Sequence, residues 1–336
     1  MELNTITLPV FTQLAGVMFE RTKASLPQVA RSSGLFVVED VPQNTGDTRS
    51  HTEIDLEEYA DVKAEGEQAA RAKVQQGYTK NLTAYRVAKD IGITYEMRTR
   101  NKYAEVVRRL TNLAALPLNR MDLDMTHRLT FGTSTSMTDR NGRTVDLTLG
   151  DTLALFSTVH TLRGSSTTFR NRLANNPALS KGALEGMERL IVEETYNQFG
   201  EKVTMPFDIL FTSDDPNTVN TAREYLQSTA KVDGPNAGVV NVYNGKYRHV
   251  ILPRLATTAT GAPDSTKRGY YGLASSMGST AHCDVWEAPR LKAPPSEGSN
   301  AEEFSTDDWN FGTRAGWGLC VVTGEWIKFS SGDGAS

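Results

Sequence analysis

The chain has 336 residues, of which 38% are hydrophobic, enough to bury a core and, at this length, two of them. Its 36 Lys and Arg stand against 40 Asp and Glu, which excludes a nucleic-acid binder that is basic over its whole length and makes any such contact local. No apolar run reaches the roughly 18 residues that a membrane-spanning helix needs, and the expectation is a soluble protein with no membrane contact.

Cys283 and Cys320 are the two cysteines. They are too few for a disulfide framework and fit a reducing cytoplasm. The start, MELNTITLPVF, lacks the basic-then-apolar order of a signal peptide. Residues 1–45 read as an arm. Leu8, Phe11, Leu14, Val17 and Phe19 are scattered through it, and Phe36–Val38 is strand-like. Neither pattern is long enough to build its own core, so the arm is expected to lie on a surface supplied from elsewhere.

Residues 49–60 (RSHTEIDLEEYA) alternate, with Ile54 and Leu56 among charges, and read as an exposed strand. Residues 61–73 are charged and alanine-rich, as at a loop tip. Residues 74–95 are rich in β-branched and aromatic residues and read as one long returning strand. An isolated two-stranded hairpin is marginal in water. The two readings are a surface loop and an arm that pairs with another subunit, and excision of 50–90 is expected to leave a folded unit.

Residues 98–131 give the clearest helical stretch. Tyr103, Val107, Leu110 and Ala114 keep helical spacing, and Met121, Met125 and Leu129 resume it beyond Pro117. The proline is expected to kink or split the helix. Residues 132–175 are irregular. Ser180 is a candidate N-cap for a helix carrying Leu184, Met187, Ile191 and Tyr196, with Gly200 as its stop. A strand is expected at 203–212, and a helix opens at Asp214, Asp215 and Pro216. Strands follow at 239–243 and 248–253, making a second, α/β layer. Strand-like runs at 281–287 and 317–329 flank a Pro/Ser/acidic loop at 293–308.

Catalytic and cofactor motifs do not emerge. There is no phosphate-binding G-x-x-x-x-G-K-[ST], no G-x-G-x-x-G and no G-x-S-x-G. The histidines, His51, His127, His160, His249 and His282, are isolated, whereas a structural zinc needs about four ligands. His160, in FSTVHT, reads as a hydrogen-bonded structural residue. Asp122 and Asp124 lie two apart and so face different sides of their helix. The reading is a chain without catalytic, cofactor or metal residues.

The order of these parts resembles the major capsid proteins of tailed bacteriophages with the HK97-like fold, nearest to Mu-like head subunits. GYTKNLTAYRVAKDIGITYEM (77–97) resembles the descending strand of the family's extended loop entering its spine helix, and 98–131 resembles that spine. FSTVHTLRGSSTTFRNRLANNPALSKGALEGM (156–187) resembles a stretch of Mu-like head proteins. Phe207–Phe211 with its following helix resembles the apical domain, and GWGLCVVTGEWIKFSSG (316–332) resembles the last strand returning to the peripheral domain.

The resemblance implies an α+β fold divided into an N-terminal arm (1–45), an extended β-hairpin loop (46–95), a peripheral domain with the spine helix (96–205), an apical α/β domain (206–310) and a C-terminal return (311–336). It implies a structural subunit, not an enzyme and without cofactors. Pentamers and hexamers would close into an icosahedral shell around double-stranded DNA, with DNA contacts to phosphate alone. Scaffolding would come from a separate protein, with a portal and a decoration protein as further partners. The chain would be made in the bacterial cytoplasm and end in the virion. An encapsulin-type compartment is the alternative within the fold, and a two-domain α/β enzyme the alternative outside it.

Local charge suggests how subunits meet. Residues 49–73 hold seven acids against four bases, and residues 98–128 hold seven bases against three acids. Glu57, Glu58, Arg71 and Lys73 on the loop, with Arg108 and Arg109 on the helix, are the candidate inter-subunit contacts.

Overall fold

The computed structural model describes residues 8–42, 45–100, 103–230, 240–294 and 307–334. Helix α1 (Leu8–Ser25) opens the described chain. The scattered apolar residues of the expected arm thus belong to one 18-residue helix, which packs on the Tyr103–Thr130 helix of the same chain. Leu8, Phe11, Ala15 and Phe19 fall on one stripe and are buried, a face that becomes a helix only because other elements cover it. A short helix α2 (Val29–Ser32) and strand β1 (Val37–Asp40) follow.

Strands β2 (Thr48–Leu56) and β3 (Val74–Thr83) pair antiparallel as the expected hairpin. The single returning strand is in fact two. The chain leaves the hairpin at Ala84 and continues as β4 (Tyr85–Ile93), which pairs with a different sheet. After the short α3 (Tyr95–Thr99), capped by Thr94, comes α4 (Tyr103–Thr130). It runs unbroken through Pro117. Leu113 and Ala114 before the proline and Leu118 and Met121 after it are all buried, so packing on both sides offsets the one backbone hydrogen bond a proline forfeits. Its 28 residues span about 42 Å at ~1.5 Å per residue.

Two small hairpins follow, β5 (Ser136–Thr138) with β6 (Thr144–Asp146) and β7 (His160–Thr161) with β8 (Thr168–Phe169). Helix α5 (Lys181–Glu193) begins where expected, with the Ser180 side chain accepting from the Ala183 N–H. It ends before Gly200, and Tyr196 lies beyond it in a turn bridged to Lys202. Strand β9 (Ile209–Thr212) is shorter than expected and starts only after Pro206, which has no N–H for a ladder. Helix α6 (Pro216–Gln227) is capped by Asp215, whose carboxylate accepts from the N–H groups of Asn217 and Thr218. Strand β10 (Arg248–Ile251) lies parallel to β9, so strand, helix and strand form the expected crossover. Of the strand expected at 239–243, residue 239 lies outside the described residues, and Val240 makes only an isolated bridge to Ala230.

Strands β11 (Tyr271–Ala274), β12 (Ala281–Lys292), β13 (Trp309–Val321) and β14 (Ile327–Ser330) complete the chain. Most of the 293–308 loop, residues 295–306, lies outside the described residues. One sheet has the order β1-β12-β13-β4 and the other β10-β9-β11-β14. The α+β class expected from the sequence is the class observed.

The largest core lies between the two sheets and the second half of α4. It joins Met121, Met125 and Leu129 to Trp317, Leu319, Phe211, Trp326 and Phe329. A second core sits under α5 and α6, from Leu184 and Met187 to Tyr225, Leu226 and Tyr271. A third packs α1 on the first half of α4, with Phe11 against Trp309 and Phe311. Gly318 is where β13 lets the hairpin base approach, because a Cβ there would meet Leu82 Cδ1 at 2.5 Å and the Trp286 ring at 3.3 Å.

Candidate assembly surface

Alternation along β2 turns Arg49, His51, Glu53 and Asp55 toward the body of the chain and Thr48, Ser50, Thr52, Ile54 and Leu56 away from it. Leu56 is the cross-strand partner of Val74, and Ile54 that of Gln76. Ile54, Leu56 and Val74 are 66%, 58% and 63% exposed. A sheet with one covered face normally puts apolar residues inward and polar ones outward. The outer end of this hairpin does the reverse, while at the base Leu82 keeps the ordinary arrangement and is buried. The charged face is pressed on its own chain, and Ile54, Leu56 and Val74 face out.

The inward face is tied down along its length. At the base, the Arg49 guanidinium reaches Glu39 at 2.6 Å and the fully buried Asp284 at 3.2 Å. The hydrogen bond from Arg49 holds the Glu39 carboxyl below the usual range. His51 Nε2 lies 3.0 Å from the same Asp284, and its ring stacks on His282 with centroids 3.8 Å apart. Burial, then the neighbouring His51, pushes His282 down to about 4. Midway, Lys80 donates to Asp146 and Thr148 at 2.7 Å each, and Arg163 donates to the Gly77 carbonyl at 3.0 Å. Further out, Gln198 Nε2 donates to Glu53 and the Gln198 N–H to Asp55, each at 2.8 Å.

The six candidate contact residues fall into two separate groups. Glu57 and Lys73 pair with each other across the hairpin at 2.9 Å, and the bonds from Lys73 hold the Glu57 carboxyl below its usual range. The Glu58 N–H donates to Glu201 at 2.9 Å, and Arg71 is exposed on the tip. On α4, Arg109 pairs with Glu105 at 3.0 Å and donates to the Gly92 carbonyl at 3.2 Å, while Arg108 is exposed. Among the described residues of one chain, no ion pair joins the hairpin acids to these arginines.

Sequence reasoning missed the group that joins α4 to the sheet. The Trp317 indole N–H donates to Tyr85 Oη at 2.7 Å, and Tyr85 donates to Asp124 at 2.7 Å. Arg120 then pairs with Asp124 at 2.8 Å and Asp139 at 3.0 Å. Burial raises the Asp124 carboxyl, against the pull of Arg120 and Tyr85. Asp122 faces elsewhere, accepting from the Ala30 N–H and pairing with Arg254, as its spacing from Asp124 implied.

His160 is fully buried. Its Nδ1 lies 2.7 Å from Asp151 and its Nε2 3.2 Å from the Leu155 carbonyl. A catalytic histidine needs a nucleophile at the position this carbonyl holds, so the geometry is that of a structural residue. Cys283 and Cys320 are buried free thiols, both pushed up to about 12 by burial. Among the described residues no group of His, Cys, Asp and Glu is arranged to hold a metal ion, and no helix is long and apolar enough to cross a membrane.

No family model matches the sequence, and no curated protein matches it. Solved structures do. A structure from Gordonia phage Cozz is similar over 91% of this chain and 89% of its own, at 11% identity and a TM-score of 0.49. The procapsid of bacteriophage JBD30 is similar over 97% of this chain and 76% of its own, at 9% identity and a TM-score of 0.48. A virus-like particle from Pyrococcus furiosus is similar over 95% and 98%, at 10% identity and a TM-score of 0.46.

Proposed function

We propose that this chain is a shell subunit that assembles with copies of itself into a capsid of the HK97-like kind. The observation that carries the reading is the reversed polarity of the hairpin's outer end. Ile54, Leu56 and Val74 face outward from the pair of strands whose charged side is already satisfied. Covering such side chains stabilises a contact by about 1.5–3 kcal/mol each. A chain that gave them no partner would expose them at a cost in solubility. A ring of identical subunits supplies the cover through a heterologous contact, one patch meeting a different patch on the next copy.

The parts follow the order arm, hairpin loop, spine helix α4 with its sheet, and an α/β unit, with two changes to the division read from the sequence: α5 joins α6 instead of staying in 96–205, and β12 joins the sheet of α4 instead of staying in 206–310. The unit under α5 and α6 is the proposed apical part, and the sheet of β1, β4, β12 and β13 with α4 the peripheral part. Arg71 and Glu58 on one hairpin and Arg108 and Arg109 on a neighbouring α4 are proposed rim contacts that steer encounter more than they hold it. Tailed-phage assembly implies packaged DNA touched at phosphate, a separate scaffolding protein, a portal and a decoration protein, synthesis in the host cytoplasm, and the virion as final location. No catalytic role is assigned.

The triple variant Ile54→Glu, Leu56→Lys, Val74→Glu tests the contact. Surface changes of this kind shift stability by about 0.5 kcal/mol or less. The expected result is an unchanged melting curve and loss of particles in sedimentation. Particles formed as by the unaltered chain would reject the outward face as an interface.

A further inference from the structure

Beneath the outer half of the hairpin three carboxyl groups lie near enough for the charges of Glu53 and Asp55 to act on Glu325. Glu53 and Asp55 point inward from β2, and Glu325 approaches from the turn between β13 and β14. Gln198 holds the first two, giving its side-chain amide to Glu53 and its backbone N–H to Asp55. The Tyr78 N–H also donates to Glu53. Glu325 is 7% exposed, and its Oε1 has no hydrogen-bond partner among the described residues. It lines a small cavity with Tyr78 of the hairpin and Gln198. Acids pointing at acids under a segment that joins the body mainly by polar contacts is not an arrangement that stability alone would select.

We propose that these carboxyl groups form a proton-dependent latch, which holds the hairpin on its own chain while Glu53 and Glu325 carry protons and lets it lift when they lose them. Burial, then the charge of Asp55, raises Glu53 to about 7. Burial, then the charge of Glu53, raises Glu325 well above the usual carboxyl range.

The sign follows from linkage. A carboxyl whose value is higher in the docked state favours docking fully below its free value of 4.5, and that support is lost as pH rises through about 7. Asp55 and Glu201 add negative charge on the same side. Lys328, fully buried and pushed down to about 8 by burial, gives its ammonium to the carbonyls of Arg170 and Glu194, and its charge draws the Glu325 carboxyl down against the effect of burial. The other cations nearby are engaged elsewhere. Arg170 pairs with the Glu194 carboxylate, Arg163 gives its guanidinium to the Gly77 carbonyl, and Lys73 is paired with Glu57. Asp151 faces His160. The latch acts within one chain, so it stands or falls separately from the assembly reading. If both hold, the hairpin reaches away from its own body toward a neighbour only as pH rises.

The test is the distance between nitroxide labels at Val62→Cys on the hairpin tip and Val192→Cys on α5, both exposed positions. The native cysteines are buried and stay unlabelled. Labelled chain is diluted into unlabelled chain, and particles are removed by sedimentation. The expected result is one narrow distance at about pH 5 and a longer, broad distribution at about pH 9, with the lifted fraction relative to docked rising roughly 100-fold. Glu53→Gln should lift less and only at higher pH than the unaltered chain. Should that variant not fold, Glu325→Gln replaces it and should move the midpoint to higher pH. An identical narrow distribution at both pH values overturns the latch, as does a Glu53→Gln chain that lifts at the original midpoint or a Glu325→Gln chain whose midpoint does not move.

Discussion

Excision of residues 50–81, with an Asn-Gly turn joining Arg49 to Leu82, is expected to leave a folded chain that forms no particles. Arg49 and Leu82 are cross-strand partners, so a two-residue turn of the kind that suits hairpins can close the gap. The cut keeps Arg49 on Glu39 and Asp284, and keeps Leu82, which is 2% exposed, in its pocket with Val41, Trp286 and Cys320. The hairpin beyond that point contributes polar and charged contacts to the body, each worth about 1 kcal/mol or less. Circular dichroism should therefore show a native spectrum and a melting temperature lowered by about 10 °C at most. The excision of 50–90 suggested by the sequence would do something else. It would remove most of β4, whose residues from Tyr85 to Ile93 pair with β13, and the chain would not fold. A shell built normally by the 50–81 variant would remove the hairpin from the account of assembly.

Trp317→Ala should cost the folded chain about 3–5 kcal/mol, the range for removing a large buried aromatic side chain. Trp317 is fully buried, sits edge-on to Tyr85 at 5.6 Å and donates to its hydroxyl. Its loss opens a cavity between β13 and α4 and removes the first donor of the line through Tyr85, Asp124, Arg120 and Asp139. Trp317→Phe keeps most of the ring and loses the N–H, so its cost should stay nearer 1–2 kcal/mol. Urea unfolding of the two variants separates the effects. Equal losses would mean that the hydrogen bond, and not the packing, dominates at this position.

What was legible in the sequence was local. Ser180 and Asp215 announced their helices because an N-cap acts on N–H groups two or three residues away. The two-residue spacing of Asp122 and Asp124 gave their divergence for the same reason. His160 was readable as structural because its partners, Asp151 and Leu155, lie within ten residues. The misses depend on distant chain. α1 shows a stripe only once α4 is there to cover Leu8, Phe11 and Ala15. The break at Ala84 is invisible in a run of β-formers because it is set by β13, more than 200 residues later. Alternation placed Ile54 and Leu56 together on one side of β2. Which side faces the body was decided by Gln198, Asp284 and His282, none of which the hairpin's own sequence reveals.

Proposed assembly of the chain with itself runs through a hairpin whose outer apolar side chains face away from its own fold. Light scattering and negative-stain microscopy of the purified chain, over a concentration series, test it most directly. The expected result is rings or closed shells of uniform size that grow in population with concentration. Protein that stays at the 36.9 kDa of one chain throughout the series, with or without a scaffolding partner, would contradict it.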